Sequence, residues 1–299
     1  MIPRRALFSL PLLLALPPLT VEATPRRLER LRGRKDEVTR GRLQRLAYGH
    51  DPKQVILHSG ISDSTKGVFV FIHGGGWSIG SPDRTEAKPD FAKALGYDFA
   101  SLGYRLVPSV TPREQAQDLA RALARLVALG PQTRGRIILS GHSAGAHLAA
   151  LVTLDRAYLK AEGLGADLLQ ALILLDGAGY DIPAQMAYLK TERPRRNPVA
   201  NQLAGMYDAA FTQDPVTQKA LSPFHQIRRD GPAYPPTLSF PIESRPDSIR
   251  QSEALIKALS ALNVRARSVT APGDSHRDVN VEFGQPNDPE TQTALVFVR

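Results

Sequence analysis

From Gln54 onward the chain alternates short apolar runs with stretches of helical periodicity, and this alternation restricts the fold more than any other feature. A strand followed by a helix, repeated, has one compact solution: a mostly parallel sheet with helices packed on its faces. The expected strands are Gln54 to His58, Gly67 to Ile72, Asp98 to Gly103, Gly135 to Ser140, Leu169 to Leu175, Pro236 to Pro241 and Arg265 to Thr270. Helical patterns fall between or after them at Pro89 to Gly96, Pro112 to Leu129, Ala144 to Leu159, Ser248 to Ala261 and Pro289 to Phe297. Pro112 and Pro289 stand at first-turn positions, where the missing N–H costs nothing. An α/β architecture is therefore expected.

One crossover is too long for this scheme. Residues 176–234 carry Pro183, Pro194, Pro198, Pro215, Pro223 and Pro232, interspersed with Tyr180, Met186, Tyr188, Met206, Tyr207, Phe211 and Phe224. A structureless loop of that length is rare in a compact domain, so a helical cap over one end of the sheet is expected. Its aromatic residues would either face a pocket or pack on the domain below.

The beginning of the chain follows other rules. Met1 to Arg5 is basic, Ala6 to Val21 is apolar but broken by Pro11, Pro17 and Pro18, and Val21-Glu22-Ala23 has the small-x-small form of a cleavage site. Residues 1–23 read as a secretory signal peptide, which would place the protein in the periplasm or outside the cell; a retained membrane anchor is the competing reading. Residues 24–47 read as a basic, helical N-terminal arm, and residues 48–299 as the α/β domain, with 176–234 as its cap insertion. The net charge of +9 is local: Thr24 to Arg45 holds nine basic and three acidic residues, hence +6. Removing that segment and the +1 of the first 23 residues leaves about +2, unlike a nucleic-acid-binding core. The arm could touch lipid headgroups or an acidic polymer, but a solvated helix is the preferred reading.

With no cysteine, the chain has no thiolate nucleophile and no thiolate metal ligand. It also lacks H-E-x-x-H, and His142 and His147 are five apart, the wrong spacing for a shared helix face. Neither metal nor cofactor is expected. Covalent chemistry must then use an oxygen or nitrogen nucleophile, and Gly141-His142-Ser143-Ala144-Gly145 offers one. This G-x-S-x-G lies between the apolar run Arg136 to Ser140 and the alanine-rich helical pattern from Ala144, where its glycines permit a sharp strand-to-helix turn that exposes Ser143. The amide of Ala144 and the helix dipole would face a developing oxyanion. About seventy residues earlier, the strand ending at Ile72 runs into His73-Gly74-Gly75-Gly76-Trp77. Three successive glycines bring backbone amides close to a ligand, so Gly74, Gly75 and Gly76 are the other oxyanion donors expected. No G-K-[ST] follows, which argues against a phosphate cradle.

On these motifs the chain resembles the α/β-hydrolase fold and, within it, serine esterases with an H-G-G-G loop: hormone-sensitive-lipase-like esterases, kynurenine formamidases and polysaccharide acetyl esterases. The stretch Gly141 to Ala150, GHSAGAHLAA, is similar to the formamidase and polysaccharide-esterase branches, and Tyr104-Arg105-Leu106-Val107-Pro108 resembles their Y-R-L-x-P segment. The resemblance implies a triad in the order serine, acid, histidine. His276, in the loop after the strand Arg265 to Thr270, is then the base, because the other histidines precede Ser143, sit in its helix or lie in the insertion. Asp247, just ahead of the helical pattern from Ser248 in an R-P-D-S segment, is the expected acid; it could instead be an N-cap, and Glu243 is the second candidate. Trp77 and Tyr180 are the candidate substrate-pocket residues. The function implied is hydrolysis of short-chain acyl or acetyl esters, of a small molecule or a polysaccharide, through an acyl-enzyme. Arylformamidase action on an N-formyl amide is the alternative, and a non-catalytic binding module on the same scaffold a third. The oligomeric state is left open.

Overall fold

The computed structural model describes residues 43–62, 65–192, 198–230 and 233–299. The expected signal peptide and most of the basic arm lie outside the described residues. The last four residues of that arm are a strand rather than a helix: β1 (Gln44–Ala47) pairs antiparallel with β2 (Val55–His58). The sheet thus begins ahead of the boundary expected at residue 48. Gln44 to Ala47, exposed except at Leu46, carries no clear apolar alternation, because an edge strand with little burial needs none.

The sheet continues with β3 (Val68–Ile72), β4 (Asp98–Leu102), β5 (Ile137–His142), β6 (Leu169–Leu175), β7 (Thr237–Phe240) and β8 (Ala266–Ser268). Its spatial order is β1-β2-β4-β3-β5-β6-β7-β8, antiparallel at the β1–β2 and β2–β4 pairs and parallel from β4 to β8. Helices on both faces explain why the inner strands are buried almost throughout and largely apolar. Val68, Val70 and Ile72 of β3 pack on one face, while Phe69 and Phe71 pack on the other with Phe91, Phe99 and Phe283. The first face is covered by α2 (Pro112–Leu129) and α3 (Ala144–Leu154), the second by α1 (Lys88–Leu95) and α10 (Pro289–Val298). The start of α2 is written into its sequence: Thr111 and Glu114 form a reciprocal capping box and Pro112 occupies the first turn, a combination worth about 1 kcal/mol. The expected helix Ala144 to Leu159 is two helices, α3 and α4 (Arg156–Ala161), since Asp155 leaves helical geometry and caps the second.

The long crossover folds as a helical cap. It contains α5 (Ile182–Glu192), α6 (Pro198–Ala210), α7 (Pro215–Ala220) and a 3-10 turn (Pro223–Gln226). Two buried contacts fasten it to the layer below. Trp77 donates its indole N–H to His147 Nδ1 at 3.2 Å and meets Tyr207 and Phe211 edge-on, with ring centroids 5.0 and 4.8 Å away. His147, on α3, donates from Nε2 to the carbonyl of Leu221 at 2.9 Å. After β7 come α8 (Pro246–Ser260) and, beyond β8, the short α9 (Asp278–Val281).

The chain leaves β3 toward β4 on one side and returns to β5 on the other, so the order reverses between β3 and β5. Ligands of open α/β sheets bind outside the carboxyl ends of the strands at such a reversal. The H-G-G-G loop leaves β3 there and the G-x-S-x-G turn leaves β5 there.

Candidate active site

Ser143 stands between the last residue of β5 and the first of α3 with φ 56° and ψ −122°, outside the regions that a residue with a Cβ normally occupies. The turn is held open by contacts that only glycine tolerates. A Cβ at Gly145 would lie 2.3 Å from the carbonyl oxygen of Ile72, and one at Gly141 2.2 Å from that of Gly145. The Ser143 amide is engaged by the Leu175 carbonyl at 3.0 Å, and Ser143 itself is partly exposed. Ala144 opens the helix, so its N–H belongs to the first-turn amides without an intrahelical acceptor.

Gly74 comes directly against the nucleophile: a Cβ there would meet Ser143 Cβ at 3.0 Å. The loop that carries it is fixed from behind. Tyr104 donates to the His73 carbonyl at 2.9 Å and stacks on the His73 ring at 4.4 Å, while Gln115 donates to the Trp77 carbonyl at 2.7 Å. Arg105 of the same segment is locked to buried Asp118 through two 2.8 Å bonds. The Tyr104 to Pro108 segment therefore braces the glycine loop. Burial drops the His73 pKa to about 4, so the imidazole stays neutral and donates from Nδ1 to the Gly74 carbonyl at 2.8 Å.

His276 occupies the loop after β8 with its side chain 43% exposed, so its ring is open to solvent. Its partner is Asp176: Nδ1 lies 2.5 Å from Asp176 Oδ2. The expectation of Asp247 as the acid is corrected by this geometry. Asp176 is the first residue after β6, with its N–H on the Phe240 carbonyl at 2.9 Å and its Oδ1 accepting from the Ile242 N–H at 3.3 Å, so its carboxylate is aimed along the strand ends toward His276. Asp247 lies inside the first turn of α8 and is turned away. Its Oδ2 accepts from Arg245 Nη2 at 2.8 Å and from Gln185 Nε2 of the cap at 2.9 Å, and it caps no helix. Glu243 is exposed and has no part in the site. Burial by itself would raise the Asp176 pKa, but the hydrogen bond from His276 and the charge of Arg245 outweigh it and bring the value to about 2.

His142, next to Ser143 in the chain, packs against His276. Its ring lies 4.5 Å from that of His276, and its Nε2–H donates to the His276 carbonyl at 2.8 Å. Burial holds its pKa well below the usual histidine range, so it is a neutral spacer. Sequence reasoning passed over both His142 in this role and Asp176. Asp176 had a legible signal: a carboxylate placed immediately after an apolar parallel strand, beside the strand that carries the nucleophile.

Of the candidate pocket residues, Trp77 is 3% exposed and Tyr180 0%, so neither faces open space; both are packing residues under the cap. The cap residue that does reach the site is Met206, because a Cβ at Gly76, whose φ is +56°, would meet Met206 Sδ at 2.9 Å. Beyond this site, the described residues include one group of acidic side chains close enough to share a cation, Asp274, Asp288 and Glu290, with ligand atoms within 4.8 Å of one another. Asp288 is occupied as the cap of α10, accepting from the Thr291 N–H at 2.7 Å.

A serine on a strained strand-to-helix turn, a glycine loop against it and a His–Asp pair at the same sheet edge define the catalytic layout of a nucleophilic hydrolase. The chain belongs to the alpha/beta hydrolase fold family, whose model matches residues 69–279. It is 34% identical over 135 residues to neutral cholesterol ester hydrolase 1 of Rattus norvegicus, a match covering 41% of this chain and 32% of that protein. It is 35% identical over 147 residues to an Aspergillus terreus protein named FAD-linked oxidoreductase pytB, covering 48% of this chain and only 18% of the other. The chain thus spans a third or less of the length of these two relatives. Among solved structures, carboxyl esterase 2 of Tuber melanosporum shares the fold with a TM-score of 0.70 at 21% identity, over 88% of this chain and 86% of that one.

Proposed function

We propose that the protein is a serine carboxylic ester hydrolase acting on short-chain acyl or acetyl esters. The observation that carries the reading is the 2.5 Å Asp176–His276 pair, set at the same strand ends as the Ser143 turn and the Gly74 loop. In the reaction, His276 Nε2 removes the Ser143 hydroxyl proton as Oγ attacks the ester carbonyl. Asp176 holds the proton on Nδ1, which leaves Nε2 free to act, and stabilises the imidazolium that forms. The oxyanion of the tetrahedral intermediate is received by amides of Gly74, Gly75, Gly76 and Ala144, aided by the positive end of α3. The imidazolium then protonates the departing alkoxide. Water, deprotonated by the same His276, attacks the acyl-serine and regenerates Ser143 with release of the carboxylic acid.

The substrate class rests on the cap. Met206 lies over Gly76, and a fixed roof penalises a long acyl chain more than each added methylene gains, about 0.8 kcal/mol. A series of p-nitrophenyl esters from two to twelve carbons, run beside N-formylkynurenine and acetylated xylan, tests the reading, with turnover expected to peak between about two and six carbons. Faster turnover of the formamide than of every ester would replace the ester reading with the amide one. The export signal read in Met1 to Ala23 implies action outside the cytoplasm; an N-terminus near Thr24 in protein recovered from the periplasm or medium would support it.

A further inference from the structure

The side chain that separates Asp247 from the His276 pair is a buried arginine. Arg245 Nη1 donates to Asp176 Oδ2 at 3.1 Å and lies 3.3 Å from His276 Nδ1, while Nη2 donates to Asp247 Oδ2 at 2.8 Å. The four groups form an unbroken row, His276, Asp176, Arg245, Asp247, which Gln185 of α5 closes by donating to Asp247 at 2.9 Å. Since Nδ1 faces a carboxylate 2.5 Å away, it carries the proton, and the 3.3 Å approach of Arg245 is donor against donor. Arg245 therefore opposes positive charge on the imidazole while it steadies the carboxylate that favours it.

We propose that Asp247 and Arg245 are positioning residues of this site, Arg245 fixing the Asp176 carboxylate and Asp247 cancelling the arginine charge so that the imidazolium formed during turnover still faces a net negative environment. The inference rests on the hydrolase reading of Ser143 and His276. Its charge count is simple. Asp176 at −1, Arg245 at +1 and Asp247 at −1 leave −1 beside the imidazole, as a lone carboxylate would; without Asp247 the sum is zero. Burial makes the third charge matter, because Arg245 and Asp247 are both nearly inaccessible to solvent and screening between them is weak. The other ionisable groups nearby are common to all variants and drop out of the comparison: neutral His142 at the end of β5, Lys88 of α1, which acts on His142, and Asp274, Arg277 and Asp278 of the histidine's own loop.

The test is the pH profile of kcat/KM with p-nitrophenyl acetate for the full chain and four variants, with a separate aliquot of each tested for labelling at Ser143 by a fluorophosphonate probe. Asp247→Asn keeps the shape and the hydrogen-bond acceptor but removes the charge, so the acidic limb should move to lower pH by about one unit, with kcat reduced about tenfold. Arg245→Gln should move the limb the other way, and the Arg245→Gln/Asp247→Asn pair should return it near the parental position. Asp247→Glu, which restores the charge, should restore the limb, and it decides the matter with Asp247→Asn alone should Arg245→Gln not fold. An acidic limb that stays in place in Asp247→Asn, or singles that shift in the same direction, would overturn the proposal while leaving the hydrolase reading intact. Failure of the parent protein to label removes that reading and this inference together.

Discussion

At Asp176 two demands meet that a single carboxylate seldom satisfies: it is buried, yet it must remain ionised. Burial alone would favour its protonated form; the hydrogen bond from His276 Nδ1, the guanidinium of Arg245 and the Ser248 side chain outweigh that, and they meet at the strand end where Asp176 stands. Asp176→Asn is therefore expected to lower kcat by about 10³-fold or more, because an amide can present its own N–H to the imidazole and favour the wrong tautomer. Asp247→Asn should cost about tenfold, as the charge argument requires, and Glu243→Gln nothing measurable. Steady-state kinetics at pH 8 on the three variants decides the order, and a larger loss in Asp247→Asn than in Asp176→Asn would reinstate Asp247 as the acid. Ser143 and the glycines were readable because each lies in a local pattern of fixed spacing, and His276 because chain order left no other histidine in the right place. The acid was not, since its identity depends on which of several strand-end carboxylates points at the histidine. Asp247 had the better local context, and Arg245, two residues ahead of it, is the reason that context misleads.

The elements follow the same division. Most strands were legible because strands buried on both faces are largely apolar, and the limits of β6 and α2 were readable to the residue. β1 was missed because an exposed edge strand has no such signature. In the cap, helices were expected but not their facing: Tyr207 and Phe211 are buried against Trp77, Met186 is buried within the cap, Tyr188 packs under the guanidinium of Arg250 at 4.2 Å, and Met206 meets the loop at Gly76. The chain-length effect should accordingly concentrate in one residue. Met206→Ala is expected to move the optimum of the p-nitrophenyl series to longer acyl chains, by about fourfold in kcat/KM for each methylene newly accommodated, whereas Tyr188→Ala should leave the profile unchanged. An unaltered profile in Met206→Ala would make the cap a packing element and place the acyl group elsewhere.

For the molecule as a whole, buried titratable groups set the response to acid. His73 and His147 are held neutral by burial, their pKa values dropped to about 4, and His142 is lowered in the same direction for the same cause. In the unfolded chain each titrates near 6.5, so between about pH 6.5 and 4 the unfolded state binds more protons and stability falls as the pH falls. For His73 and His147 this amounts to about 3 kcal/mol each once pH 4 is reached. Glu290 acts oppositely. Burial and the neighbouring Asp288 push its pKa up to about 7, so folding favours its protonated form and stability rises as pH falls from 7 toward 4.5. That one group offsets one histidine and leaves the others, while Asp176, depressed to about 2, adds its loss only below the ordinary carboxylate range. Each of the two valued histidines also fixes a structural joint: His73 orders the glycine loop, and His147 links Trp77 to the Leu221 carbonyl of the cap. Urea melts at pH 7.5 and 5.0 should show a clear drop in midpoint at the lower pH, and His147→Gln, which keeps a hydrogen-bonding amide but cannot protonate, should shrink that drop while lowering stability at pH 7.5. If the drop is undiminished in His147→Gln, the acid sensitivity comes from groups other than the one joining cap to sheet.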